Sequence, residues 1–212
     1  MSWETGSQIP RKNEYISNED LLKKKGFLEE REAKLLFYEF LRNNTTFATD
    51  LITGVQLFPF QHMAIKSMLE SDYFLGVWSR GMSKSYTTGI YAVLDAILNQ
   101  GVETGILSRS FRQSKMIFKK IEDIAAKPEA YLLKQCITHV SKSNDEWVME
   151  IGKSRIRALP LGDGEKLRGF RFHRIIIDEF LLMPERIYNE VIVPFLSVVQ
   201  NPTQREELYQ AE

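Results

Sequence analysis

The chain has 212 residues, room for one sizeable domain with modest extensions. Its 28 Lys and Arg balance its 28 Asp and Glu. No global field therefore selects a nucleic acid or a membrane, and any basic face must be local. A single cysteine, Cys136, excludes an internal disulfide and a cysteine-built zinc site and suits a reducing compartment. It reads as a small core residue. The opening "MSWETGSQIPRKNEY" lacks the apolar stretch of a signal peptide, and no apolar run is long enough to span a bilayer.

Residues 1–16 read as a polar arm, and "SNEDLLKKKGF" as a short capped helix. "LEEREAKLLFYEFLRNN" places Leu36, Phe37, Phe40 and Leu41 at helical spacing. "NNTTFATDLITGVQL" reads as a loop. Pro59 starts the next helix, with Ala64, Ile65, Met68 and Leu69 on one face. "YFLGVW" then reads as a short buried strand, and Ser85 to Asn99 as a helix striped by Ile90, Val93, Leu94 and Leu98. "ETGILS" is a second strand and "FRQSKMIFKKIEDIAA" a helix. "EWVMEIGKSRIRALPL" alternates with period two on both sides of Gly152-Lys153, a hairpin pattern. "HRIIIDEF" reads as a buried strand ending in two acids. "PERIYNEVIVPFLSVVQ" reads as a helix broken near Pro194. The order predicts an α/β fold with a mostly parallel sheet, helices on both faces and an antiparallel hairpin. It divides into a helical arm over 1–56, a core over 57–200 and a polar tail over 201–212.

Ligands of open α/β sheets bind at the carboxyl ends of the strands. "SRGMSKS" follows the first strand, and Asp178-Glu179 ends "RIII". A loop before a helix N-terminus presents backbone N–H groups to anionic oxygens. Lys84 would meet the β- and γ-phosphates of ATP, the Ser85 hydroxyl would ligate Mg²⁺, and Asp178 would hold that ion. Glu179 would polarise the attacking water. Each half has a plainer reading: a capped helix for Lys-Ser, a strand end meeting solvent for "IIIDE". Together they predict a P-loop NTPase of the additional-strand type. The phosphate loop runs over Ser79, Arg80, Gly81, Met82, Ser83, Lys84, Ser85 and Tyr86. Its spelling departs from G-x-x-x-x-G-K-[ST], because Trp78 and Ser83 stand where glycines are usual. Gly81 supplies one tight turn, and Ser83 is expected to weaken affinity.

At this point the residues resemble the large terminase subunits of tailed phages, which are DNA-packaging motors. The likeness runs over about Leu57 to Ser197. "FPFQ" resembles the adenine-side motif, with Gln61 placed to read the adenine edge. "SRGMSKS" resembles terminase phosphate loops, which often open with Ser-Arg. "GDGEKLRGFRFHRIIIDE" resembles the run from an "LRG" element into the strand-end acids. The resemblance implies that Arg80 senses the γ-phosphate in cis and that Arg168 reaches a neighbouring subunit's ATP as a trans finger, with Glu179 as the catalytic carboxylate. Other readings stay open: Arg80 as a simple brace of its loop, Arg168, Arg171 and Arg174 as a solvated or DNA-facing stripe, and Arg109 and Arg112 as alternatives for the trans contact. Phe58 and Phe60 read as base-stacking residues or core staples. His62, His139 and His173 lack companions at metal spacing.

The resemblance also implies ATP and Mg²⁺ as cofactors, double-stranded DNA as the polymer moved, and portal protein and a small terminase subunit as partners. It implies a homo-oligomeric, usually pentameric, ring, working in the host cytoplasm at the procapsid portal. The family places a further core strand and a nuclease domain after this point, and neither is visible here. That predicts a fragment or a naturally split chain completed by a second chain, with weak turnover alone and a tendency to pair at the open sheet edge. The competing readings are a helicase or translocase with the same core residues, and a nucleotide-binding scaffold half that does not hydrolyse. Lys119, Lys120 and "KLRGFRFHR" are the expected basic face for DNA.

Overall fold

The computed structural model of the protein describes residues 30–162, 164, 167 and 169–196. The expected helix in "SNEDLLKKKGF" and the tail over 201–212 lie outside them. The chain divides into two compact units, residues 1–40 and 41–212. Helix α1 (Glu30–Asn43) straddles the division, and the elements below belong to the second unit.

Helix α2 (Thr45–Thr53) replaces the loop expected from "NNTTFATDLITGVQL". Threonine and asparagine are poor helix formers, which is why the segment reads as a loop. Burial of Ala48 and Ile52 overrides that preference. The buried threonine hydroxyls turn back on the helix itself: Thr49 donates to the Thr45 carbonyl and Thr53 to that of Thr49. Helix α3 (Pro59–Glu70) begins at a proline, as its sequence predicts. Helix α4 (Lys84–Leu98) is buried along most of its length, and its last carbonyl, Leu98 O, accepts from both Nε and Nη2 of Arg42.

The sheet has five strands: β1 (Glu103–Ser108), β2 (Ile137–Lys142), β3 (Trp147–Ile151), β4 (Ser154–Pro160) and β5 (Arg174–Ile177). Their order is β2-β3-β4-β1-β5. The β1–β4 and β1–β5 ladders are parallel, whereas β2–β3 and β3–β4 are antiparallel. The sheet is therefore mixed rather than mostly parallel. The expected β3–β4 hairpin forms, turning at Gly152 with φ +58°, and β2 adds a strand with no counterpart among the expected elements. Helices α4 and α5 (Phe111–Ala125) pack on each other and on β1 and β4. On the opposite face, Leu107 and Leu159 join Leu167, Phe172, Ile187 and Val191 in one apolar cluster. A short helix α6 (Tyr131–Cys136) leads into β2. After β5, helix α7 (Glu185–Ile187) continues through a π-helical stretch (Tyr188–Ile192) into α8 (Val193–Leu196). The break expected near Pro194 takes that form, since proline cannot donate to the preceding turn. No helix among the described residues is long and apolar enough to cross a membrane.

The largest departure is "YFLGVW". Residues 73–78 form no strand, and Leu75 and Val77 are 76% and 93% exposed. A strand needs a neighbour to receive its ladder. Among the described residues none is present: β5 ends the sheet there, pairing with β1 alone, and its four residues are all half-buried although "RIII" is the composition of a fully covered strand.

At the start of β5, Arg174 faces Asp95 of α4, which is 2% exposed. The Arg174 Nε to Asp95 Oδ2 separation is 3.5 Å, close enough for charge attraction, yet Oδ2 accepts no hydrogen bond. Burial accordingly pushes the Asp95 carboxyl above the usual carboxylate range despite the guanidinium, which pulls it down. The same burial, with the Asp95 charge, raises the Tyr91 hydroxyl. Arg174 is thus a partner of a buried acid rather than part of a solvated stripe. In Arg174→Met the acid loses its nearest cation and keeps the Asn99 hydrogen bond, and chemical denaturation at neutral pH should show a loss of up to about 3 kcal/mol. A raised carboxyl binds its proton more tightly folded than unfolded. The penalty for the charge is therefore absent below the ordinary carboxyl pKa and grows as pH rises through the folded one. The loss in Arg174→Met should shrink as pH falls toward the ordinary carboxyl range, and an equal loss at both pH values would contradict this account.

Candidate functional site

Strand β5 ends at Ile177, and the ladder runs one residue on: Asp178 N donates to Leu107 O at 3.0 Å. The Asp178 side chain, 12% exposed, meets Lys84 Nζ at 2.7 Å. Lys84 is the first residue of α4. One ion pair therefore joins the start of α4 to the end of β5 at the carboxyl edge of the sheet. Short and half-buried, it brings together the lysine and the acid that the two sequence motifs pair.

The loop before Lys84 has glycine-like geometry at two positions. Gly81 takes φ +84°, with open space where a Cβ would project. Ser83 takes φ +53° and ψ +32°, the left-handed region. Non-glycine residues seldom adopt it, at a cost of about 1–2 kcal/mol. Ser83 therefore keeps the conformation of the usual glycine while carrying a side chain. Its carbonyl accepts from Tyr86 N and Thr87 N, closing the first turn of α4. Trp78, at the other missing glycine, is half-buried and meets Phe60 edge-on at 6.2 Å.

Only one other non-glycine residue among those described has positive φ: Glu179, at φ +58°. It caps a single 3₁₀ turn (Phe180–Leu182). Its exposed carboxylate accepts a hydrogen bond from Gln113 Nε2. Gln113 is itself fixed, because its Oε1 accepts from Ser110 N and Ser110 Oγ at the start of α5. Both strained residues thus lie at this one site, a pattern associated with function.

Gln61 is buried, 4% exposed. Its Oε1 accepts from Phe58 N and its Nε2 donates to Thr87 Oγ1, which donates in turn to Ser83 O. This chain of bonds ties the start of α3 to the strained residue of the loop. An open cavity of about 540 Å³ lies beside it, lined in part by Gln56, Phe58, Gln61, Ser83, Tyr86 and Lys127. A second, of about 480 Å³, shares Ser83, Tyr86 and Lys127 and adds Lys84, Ser85 and Lys120. Phe58 and Phe60 stack at 6.0 Å, and Phe58 is mostly exposed at the rim. The first cavity offers an aromatic and an amide; the second offers three lysines and a helix N-terminus, a setting for an anion.

Of the remaining expected residues, Ser79, Arg80 and Met82 are exposed on the loop. Arg80 makes no hydrogen bond or ion pair among the described residues, so no contact supports a bracing role. Arg168 lies outside the described residues. Arg109 and Arg112 are exposed at the start of α5, and Arg171 is exposed before β5. Gln113, Thr87 and Lys127 belong to the site without standing in either sequence motif. Only Gln113 carries a signal, as the fourth residue of "SFRQ", a helix-capping pattern that predicts the cap but not the contact with Glu179.

No protein-family model matches the sequence, and no curated protein matches it. Solved structures do. The large terminase ATPase domain of Thermus phage P74-26 superposes with a TM-score of 0.58 at 19% identity, covering 70% of this chain. The fold is that of a large-terminase ATPase domain. A point mutant of the same phage domain gives a TM-score of 0.57 at 19% identity over 70% of this chain. The present chain spans 63% of the first terminase domain's length and 64% of the second's.

Replacing Ser83 by glycine would remove the left-handed cost and take a side chain from the lining of both cavities. Isothermal calorimetry with ADP should show tighter binding in Ser83→Gly, by about fivefold for a relief near 1 kcal/mol. Unchanged affinity would mean that the serine does not weaken this loop.

Proposed function

We propose that this chain is the ATP-hydrolysing motor domain of a viral terminase large subunit, a P-loop enzyme of the additional-strand type that drives double-stranded DNA into a procapsid. The observation that carries this reading is the 2.7 Å contact between Lys84 and Asp178, with Glu179 next in the chain. It gathers a phosphate-binding lysine, a metal-binding acid and a general base at the carboxyl edge of one sheet.

In this reading the first cavity takes the adenine, between Phe58 and Tyr86, and the second takes the phosphates. The N–H groups at the start of α4 and the Lys84 ammonium bind the β- and γ-phosphate oxygens. To do so Lys84 leaves Asp178, whose carboxylate becomes available together with the Ser85 hydroxyl. These are hard oxygen donors of the kind that Mg²⁺ prefers. When bound there, Mg²⁺ would offset charge on the phosphate oxygens. Glu179 orients the attacking water and takes its proton, while Gln113 holds the carboxylate in one position. Arg80 is free to reach the γ-phosphate. Arg168 would reach it from a neighbouring subunit, since ring motors of this class complete each site across an interface. Portal protein, a small terminase subunit and a chain supplying a strand beside β5 are the partners this role calls for, in the host cytoplasm at the procapsid portal.

ATP binding and turnover test the reading with DNA and the completing chain supplied. Lys84→Ala should lose both. Glu179→Ala should keep binding and lose turnover by at least about 100-fold, the usual worth of a positioned base. Wild-type protein that neither binds nor hydrolyses ATP would overturn the proposal. Gln113→Leu should lower kcat about tenfold with KM for ATP unchanged, because the bond it removes acts on the base and not on the nucleotide. A raised KM at constant kcat would assign Gln113 to binding instead.

A further inference from the structure

Trp147 opens β3 opposite Lys142 of β2. Its ring meets Phe118 and Phe111 edge-on, at 5.6 and 6.4 Å. Three ammonium groups gather over it: Lys142 at 4.7 Å from the centroid, Lys115 at 4.9 Å and Lys119 at 5.8 Å. Lys115 also sits 3.9 Å over the Phe111 ring. One carboxylate joins the group, Glu122, which holds Lys142 at 2.7 Å. Neither Lys115 nor Lys119 has a carboxylate partner among the described residues. In a chain with no net charge, this cluster carries an uncompensated positive excess.

The excess is ordered. Arg112, Lys115 and Lys119 follow the i, i+3, i+7 spacing of one helical stripe on α5, extending about 10 Å along its axis. The aromatic rings draw Lys115 and Lys119 onto the surface by cation–π attraction, which reduces their freedom before any partner arrives. Trp147 pairs with Ala158, and Ala158 with Ile106, which pairs with Ile176 two residues before Asp178. The stripe therefore lies at the same end of the sheet as the ATP site. Arg112 precedes Gln113, the residue bonded to Glu179.

We propose that Arg112, Lys115, Lys119 and Lys142 around Trp147 form a contact surface for the phosphodiester backbone of duplex nucleic acid. This deepens the motor reading and rests on it for its purpose, though not for its physics. Duplex DNA presents phosphates about every 3.4 Å along each strand, so a stripe of this length faces several at once. The lysines already cover the ring, so it is closed to base stacking. The surface therefore offers charge without sequence readout. A protein partner would need an apolar anchor pocket, which this cluster does not provide. A phosphate backbone needs only the cations.

The experiment measures binding of a fluorescently labelled, mixed-sequence DNA duplex to the full chain by anisotropy over a salt series. Wild type should bind with a steep salt dependence. Lys115→Gln/Lys119→Gln should weaken binding at least about tenfold at moderate salt. It should also flatten the log–log salt slope by roughly 1.8, about 0.9 for each phosphate that is no longer neutralised. Lys119→Glu, at an exposed position that cannot perturb the core, should weaken binding further than Lys119→Gln. Unchanged affinity and slope in all three variants would overturn the proposal, as would a wild type that binds no duplex. Poly-glutamate binding as tightly as the duplex, with the same lysine dependence, would also overturn it by assigning the surface to an acidic protein. ATP binding, measured separately, should be the same in these variants and wild type. A chain that binds duplex through these lysines but never binds ATP would sink the motor reading and leave this surface standing.

Discussion

The contact between Lys84 and Asp178 fixes the geometry on which everything else at this site depends. It holds the first residue of α4 against the end of β5, so the loop before Lys84, the Asp178 carboxylate and Glu179 share one corner. The contact is short, yet Lys84 remains 41% exposed on its side chain. An ion pair with one partner so open to water holds the corner weakly. In the proposed motor it is exchangeable: the lysine would give up one oxygen anion for several on a phosphate chain, and the acid it releases would be free to act as a ligand.

A second ion pair at the far end of the same two elements has the opposite character. Asp95 lies eleven residues along α4 from Lys84, about 16 Å at the helical rise. Arg174 lies four residues back along β5 from Asp178, about 13 Å at the strand rise. Helix and strand thus span comparable lengths between two tethers. The far tether is buried at Asp95 and costly to break, whereas the near one is open to water at Lys84. The frame is thus pinned at one end and open to water at the other. Strain at Ser83 and Glu179 lies at that open end.

Much of this is legible in the sequence because it depends on local pattern. The apolar stripe of α4, the alternation of β3 and β4, and the proline at the start of α3 each state their own structure. Lys84, Asp178 and Glu179 are legible as a pair of motifs, one at a helix start and one at a strand end, and the structure brings Lys84 and Asp178 into contact. What stays hidden depends on partners remote in sequence. Helix α2 forms because Ala48 and Ile52 find a core, which no threonine-rich window announces. Gln61 reads as facing adenine, but half of its hydrogen-bonding capacity is used within the protein, on Phe58 N and Thr87. Arg174 reads as one cation among several, and only the fold sets Asp95 beside it. Gln113 shows its cap and conceals its contact with Glu179.

The segment 73–78 departs from its expected structure for an instructive reason. Its composition is that of a buried strand, but strand structure is a property of a pair. Lys84 ties the end of this segment's loop to the end of β5, so the segment and the free edge of β5 approach the same corner. Both are apolar and both lack a ladder partner on that side: β5 half-covered, residues 73–78 almost bare. A single extended segment inserted beside β5 would cover its edge and give residues 73–78 a neighbour, turning two exposed apolar runs into interior strands. It would also stiffen the residues on which Ser83 and Lys84 stand. The completeness of the sheet and the order of the loop that carries Ser83 and Lys84 are therefore coupled through the edge of β5.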